Sequence, residues 1–242
     1  MITFKQSGHS GDLIYSLASV KYLCEKLDVQ CIFYVGINVE ADFSGHSMGK
    51  YMISPKVYDM LYPLLMAQDY IAEVKPYVNE KIDYDLDQFR KENINTSSFN
   101  IALWHSYVYP ELTPDLSQPW IKVKPREIEL PIVNRTLRYT NGLINYNIFK
   151  EAYFIGVDME WRMVNSMLNA NYKRIVVNDF LEMAECIAGA PMFLGNQSMA
   201  FALAEAMKVP RALESFQQCP NVIPQGGQWA VFRNQNELNR LT

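Results

Sequence analysis

The segment Phe193-Leu194-Gly195-Asn196-Gln197-Ser198 runs directly into Met199-Ala200-Phe201-Ala202-Leu203-Ala204-Glu205-Ala206-Met207 and ends at Lys208-Val209-Pro210. Read in order, it is a short apolar strand, a polar turn with a glycine, and a helix that begins at the turn. A helix start of this kind aims unsatisfied backbone N–H groups, and the positive end of the helix dipole, at whatever lies above it. Phosphates and other anions bind at such places. The opening of the chain repeats the pattern. Residues 2–5 read as a short buried strand and Gln6-Ser7-Gly8-His9-Ser10-Gly11-Asp12 as a polar turn. A helix follows from Leu13, with Leu13, Leu17, Val20, Cys24 and Leu27 on one face. Two junctions of one kind suggest two half-sites facing one ligand.

Outward from these junctions, strands are expected at residues 31–35, 71–74 and 100–104. Ser54-Pro55 is a helix start, with serine as N-cap and proline at the first helical position. That helix turns Val57, Leu61, Leu64 and Leu65 inward. Residues 37–50 form a loop containing Gly45, His46 and Gly49. Five prolines between Pro110 and Pro131 mark an extended, helix-poor stretch, and a domain boundary is placed near residue 130, giving units 1–130 and 131–242. Beyond it, strands at 132–134, 152–157, 174–177 and 192–194 alternate with helices at 159–168 and 180–188. Asp179 reads as an N-cap, with Glu182 three residues on. This alternation predicts an α/β fold with parallel sheets and right-handed crossovers, whose ligands bind at the carboxyl ends of the strands.

The 242 residues suffice for two modest domains, and 49% apolar with 20% charged residues describes an ordinary globular protein. The net charge of −4 and the lack of any basic run argue against a nucleic-acid partner. Cys24, Cys31, Cys186 and Cys219 lie far apart, without the spacing of a zinc site or a redox motif. No signal peptide is recognised and no apolar run is long enough to span a bilayer, so a cytoplasmic protein without a transmembrane segment is expected.

Three polar clusters fall at predicted strand ends: Gly11-Asp12, the run Asn134-Arg135-Thr136-Leu137-Arg138-Tyr139, and Gly195-Asn196-Gln197-Ser198. Together they offer a carboxylate, two guanidiniums and a helix start. Group transfer from a nucleoside diphosphate needs such a set: a leaving group held by arginines and amides, opposite a carboxylate base. Each element also has a plainer reading. Asp12 is an N-cap, Arg135 and Arg138 are solvated or pair with nearby carboxylates, and Gly195-Asn196 merely turns the chain. His9, His46 and His105 are too isolated to suggest a metal site. Glu25, Asp42 and the run Asp83, Asp85, Asp87 read as an exposed, solvated face. The first strand is not followed by G-x-G-x-x-G, Gly49-Lys50-Tyr51 fails the P-loop pattern, and no G-x-S-x-G elbow occurs.

The run Phe4-Lys5-Gln6-Ser7-Gly8-His9-Ser10-Gly11-Asp12-Leu13-Ile14-Tyr15-Ser16-Leu17 resembles the N-terminal signature of glycosyltransferases related to ADP-heptose:lipopolysaccharide heptosyltransferases. The block from Gly195 to Pro210 and the segment Val133-Asn134-Arg135-Thr136-Leu137-Arg138-Tyr139 are similar to two further parts of that family. The departures are Asn196, where members often have Asp, and Phe201, where they often have His. The resemblance implies a shortened glycosyltransferase B fold: two Rossmann-like domains with parallel sheets facing across a cleft, an acceptor-side unit 1–130 and a nucleotide-sugar-binding unit 131–242. It also implies an inverting sugar transfer from a nucleotide-sugar donor to a saccharide or other hydroxyl acceptor, with no metal and no cofactor beyond the nucleotide-sugar co-substrate. On this resemblance Asp12 is the base. Arg135, Arg138, Gly195, Asn196, Gln197 and Ser198 hold the donor diphosphate, and Glu214 accepts from a ribose. Gly11, His9 and Trp104 lie on the acceptor side, where the aromatic run from Trp104 either stacks on a sugar or joins the core. The alternatives are a non-catalytic nucleotide-sugar-binding protein and, more distantly, an epimerase or hydrolase.

Overall fold

The computed structural model describes residues 1–41, 49–167 and 170–241, so His46 and Asp42 lie outside the described residues. The first sheet contains β1 (Ile2–Gln6), β2 (Cys31–Val35), β3 (Ile71–Pro76) and β4 (Tyr84–Asp85), in the order β3-β2-β1-β4. The second contains β5 (Ile132–Asn134), β6 (Tyr153–Ile155), β7 (Lys173–Ile175), β8 (Phe193–Asn196), β9 (Arg211–Glu214) and β10 (Trp229–Phe232), in the order β10-β9-β8-β5-β6-β7. Every pairing in both sheets is parallel. Numbered by appearance, the second sheet runs third, second, first, fourth, fifth, sixth, the order of a doubly wound dinucleotide-binding fold. The first sheet shows the third-second-first-fourth part of the same order. Each sheet therefore has one switch point where the winding reverses, between β1 and β4 and between β5 and β8. The crevice above such a point is where ligands bind.

Local chemistry explains the helices. In α1 (Ser10–Leu27) the apolar face buries Leu13, Leu17, Val20 and Cys24. It starts earlier than the apolar spacing predicts, so His9 is the N-cap and Asp12 the third helical residue rather than a cap itself. For α2 (Pro55–Met66), the Ser54 hydroxyl accepts from the Val57 N–H at 3.3 Å, and Val57, Leu61, Leu64 and Leu65 are buried as expected. At α5 (Phe180–Gly189), Asp179 accepts from the Glu182 N–H at 2.9 Å. The Glu182 carboxylate reaches back to the Asn178 N–H, also at 2.9 Å. The expected strand at 100–104 does not form. Asn100 Oδ1 accepts from the Ala102 N–H at 3.2 Å, which winds Ile101–Leu103 into a 3₁₀ turn that leads into the short α3 (Trp104–Val108).

The two sheets are joined by a packed helical layer. Helix α1 packs on α6 (Met199–Met207), and α2 packs on α5. One continuous apolar cluster runs from Phe4, Leu17 and Leu61 through Ile187 to Phe201 and Leu203. A second, smaller cluster around Val133, Phe154, Val164 and Phe232 fills the other face of the second sheet, beneath α4 (Asp158–Met167) and α7 (Gln235–Leu238). The proline-rich stretch is bonded into this arrangement rather than loose: the Trp120 N–H donates to the Ala206 carbonyl and the Arg126 N–H to the Glu185 carbonyl, both at 2.9 Å. Between the halves, the Ile101 N–H donates to the Asn221 carbonyl at 2.9 Å. The halves thus meet through shared core and main-chain bonds along this layer.

Candidate functional site

The two strand–turn–helix junctions meet. A Cβ built on Gly11, in the first turn of α1, would lie 3.8 Å from Met199 Cα and 3.9 Å from Met199 N at the start of α6. Both helices therefore present their N-terminal ends to one region. Two positive dipole ends brought together need negative charge beside them. Asp12 supplies one such charge. Its carboxylate accepts from the His9 N–H and faces Arg90, whose Nη2 lies 3.6 Å from Asp12 Oδ2. Burial pushes the Asp12 carboxyl above its ordinary range, against the opposing pulls of Arg90, the His9 N–H and Arg138. Arg138, a residue of the second half, is near enough to Asp12 to pull on its charge.

Around β8 the polar side chains are committed to building that site. Asn196 is fully buried; its Oδ1 accepts from the Thr136 N–H at 2.9 Å, and its Nδ2 donates to the carbonyls of Thr136 at 3.2 Å and Arg138. An aspartate here could not donate to either carbonyl, which accounts for the amide. Ser198 Oγ caps α6 by accepting from the Phe201 N–H at 3.2 Å and donates to Asn134 Oδ1 at 2.8 Å. Gln197 braces the segment beyond β9, donating to the Cys219 carbonyl and accepting from the Phe216 N–H, both at 2.8 Å. Gly195 is required by close approach, since a Cβ would stand 2.8 Å from the Asn134 carbonyl oxygen. Phe201 is wholly buried against Phe193. The loop that Asn196 holds carries Arg138, which donates to the Tyr139 hydroxyl at 2.9 Å and stacks on that ring, 4.7 Å from its centroid. Tyr139 adopts the left-handed region, φ 51°, turning the chain so that ring and guanidinium overlap.

Arg135 and Glu214, expected at the diphosphate and the ribose, lie side by side. They bind each other: Arg135 Nε and Nη2 lie 3.0 and 3.2 Å from the two Glu214 oxygens. Tyr146 donates its hydroxyl to Glu214 at 2.7 Å, and its ring lies beneath the guanidinium. Arg135 is 4% exposed and Glu214 0%, so neither faces an open ligand site. The pair locks β5 to β9. Of the two places expected for Trp104, it takes the core: it is buried, donates its indole N–H to the Phe99 carbonyl at 2.9 Å and packs on Phe89.

Sequence reasoning missed several members. Asp85 and Asp87 are not a solvated face. Tyr84–Asp85 pairs with β1, and Asp87 accepts from the Ser7 N–H at 3.2 Å beside Lys5 and Arg90. A two-residue strand carries no readable periodicity. Glu160, in the first turn of α4, is buried beside Gly156, just after β6. Burial pushes its carboxyl up to about 7, although the Val157 and Leu137 N–H groups donate to it. His105 is buried with Nδ1 3.0 Å from the Leu86 carbonyl, and burial lowers it to about 4. Among the described residues no group of three or more His, Cys, Asp or Glu side chains converges as a metal site. No helix among them is long and apolar enough to cross a membrane. A cavity of about 290 Å³ lies elsewhere, between Lys21 and Tyr22 of α1 and Asp115 and Trp120.

Two parallel sheets of these orders, joined through α1 and α6, match known structures across nearly the whole chain. The chain has the fold of the heptosyltransferase-type glycosyltransferases. A family 9 glycosyl transferase from Veillonella parvula is similar over 96% of this chain and 85% of its own, with TM-score 0.62 and 10% identity. The Escherichia coli heptosyltransferase WaaC, solved with ADP, is similar over 100% of this chain and 93% of its own, with TM-score 0.56 and 11% identity. The dodecameric, iron-containing heptosyltransferase TibC, from enterotoxigenic E. coli and solved with ADP-D-β-D-heptose, is similar over 96% of this chain and 62% of its own, with TM-score 0.59 and 15% identity. No family model matches the sequence, and none of the curated proteins does.

Proposed function

We propose that this chain is an inverting glycosyltransferase that moves a sugar from a nucleoside-diphosphate donor to an acceptor hydroxyl, without a resident metal. One observation carries the reading: the first turn of α1, which bears Asp12, packs against the start of α6, with Arg138 within electrostatic reach of the Asp12 carboxylate. The nucleotides solved with similar folds, ADP in WaaC and an ADP-heptose in TibC, support a nucleoside-diphosphate donor.

In the proposed step, the acceptor oxygen attacks the anomeric carbon from the face opposite the diphosphate. The new C–O bond forms as the bond from that carbon to the phosphate oxygen breaks, which inverts the configuration. Asp12 takes the hydroxyl proton, and the electron pair leaves with the diphosphate. Arg138 and the first-turn amides of α6 meet the charge that builds there. Asn196 acts by holding the Arg138 loop, and Ser198 by capping the helix. Four free cysteines support a cytoplasmic location.

A second reading, a nucleotide-sugar-binding protein without turnover, is favoured by the mutual neutralisation of Arg135 and Glu214, which withdraws one of two expected guanidiniums from the site. Incubation with ADP-, UDP- and GDP-sugars and candidate saccharide acceptors separates the two. Acceptor-dependent release of nucleoside diphosphate is the expected result. A rise in melting temperature with the same donors, and no release with any acceptor, identifies a binding protein.

A further inference from the structure

The Asp12 carboxylate belongs to a line of alternating charge. Arg90 Nη2 lies 3.6 Å from Asp12 Oδ2, and Nε of the same guanidinium lies 3.6 Å from Asp87 Oδ1. Asp87 is itself fixed: Oδ1 accepts from the Ser7 N–H at 3.2 Å, and Oδ2 lies 2.9 Å from Lys5 Nζ. Lys5 also reaches Asp85 Oδ1 at 3.2 Å, across the register that pairs the two residues in β1 and β4. Lys5, Asp87, Arg90 and Asp12 thus run from the first switch point into the first turn of α1. Gly8 shows how closely the last two converge. A Cβ there would lie 2.8 Å from Arg90 Nη2 and 2.9 Å from Asp12 Oδ2, and its φ lies outside the left-handed region. A side chain at residue 8 would press on both charged groups.

We propose that Arg90, anchored by Asp87, is a positioning residue that fixes the rotamer and the charge of Asp12 as the base. This rests on the reading of Asp12 given above. The groups facing Asp12 are Arg90 and Asp87 from the segment after β4, Arg138 and Tyr139 from the loop after β5, and the His9 N–H and Tyr15 from its own helix. Burial favours the protonated, inert acid, and Asp87 adds to that. Arg90 is the largest opposing influence. It also keeps Asp12 from drawing Arg138 away from a diphosphate.

Carbon-13 NMR of the aspartate carboxylates in the full chain, with Asp12→Asn as the assignment control, tests this without any substrate. In Arg90→Gln the Asp12 titration midpoint moves up, and in Arg90→Lys it returns toward the wild-type value. Gly8→Ala, which keeps every charge but inserts a methyl group beside both side chains, moves it up as well. In the transfer assay, Arg90→Gln lowers kcat at neutral pH about 10²-fold, shifts the acid limb to higher pH and leaves the donor KM within about twofold, the size of change expected where a group acts on the transition state alone. An Asp12 midpoint unchanged in Arg90→Gln overturns the proposal, as does equal loss of rate in the Gln and Lys variants with an unmoved acid limb. If Asp12→Asn transfers as fast as wild type, the base reading fails instead, and the NMR titration still decides whether Arg90 governs Asp12.

Discussion

The β1–α1 and β8–α6 junctions have the same backbone plan and opposite side-chain economies. At β1–α1 the cap residue His9 contributes no side-chain cap. The charged groups Asp12 and Arg90 stay partly open, their side chains 22% and 32% exposed. At β8–α6 every polar side chain is spent inside the protein: Asn196 on the loop after β5, Gln197 on the segment after β9, Ser198 on the helix start and Asn134. One junction leaves its charged groups partly open, while the other spends its polar side chains on holding the loop that carries Arg138. The Arg135–Glu214 pair shows the same division in small. Residues whose types suit diphosphate and ribose recognition are here turned on each other to join two strands.

Substitutions can break or sharpen that contrast. Asp12→Asn at the displaying junction lowers acceptor-dependent nucleoside diphosphate release by about 10²–10⁴-fold, or roughly 3–5 kcal/mol of barrier, with little change in stability. Arg135→Met on the scaffold side leaves Glu214 buried without its cation and costs about 3–5 kcal/mol in urea unfolding, while Arg135→Met with Glu214→Leu recovers most of it. Lost ADP affinity at unchanged stability would move Arg135 back into the binding site. Glu160→Gln has a pH-dependent effect. The native carboxyl, raised to about 7 from 4.5, keeps a proton that the unfolded chain has released. Wild-type stability therefore falls as pH rises through that window, and the variant, free of this loss, gains up to about 3 kcal/mol relative to wild type at pH 8 and little at pH 4. Thermal melts across that range check it. Ser198→Ala costs about 1 kcal/mol as a lost cap and changes ADP affinity less than about twofold, since the hydroxyl is spent on the helix start and on Asn134.

The fold was readable where a pattern was long enough to carry it. Ser54-Pro55, Asp179 and the strand–helix alternation after residue 130 predict α2, α5 and most of the second sheet. The two junctions announce themselves by glycine, polar turn and apolar helix. What stayed hidden depended on long-range pairing. Tyr84–Asp85 becomes a strand only because β1 supplies its partner, and Arg90 and Asp87 reach the site through that pairing. Residue type pointed to Arg135 and Glu214 as ligand groups, but only tertiary contact shows them satisfied by each other and by Tyr146. The aromatic run at 104–109 carries no sign of which face is buried. Trp104 is placed in the core by the Asn100 turn and by Phe89.

ADP affinity in three proteins, the wild type, Asp12→Asn and Arg138→Gln, measured by calorimetry at pH 7, bears most directly on whether the two junctions serve one ligand with divided roles. Asp12→Asn should bind ADP within about twofold of wild type, since removing a base leaves ground-state binding intact. Arg138→Gln should bind it at least about tenfold more weakly, as expected on losing a charge-assisted phosphate contact. Equal affinity in wild type and Arg138→Gln, or an equal loss in both variants, contradicts a diphosphate held by the second half against a base from the first.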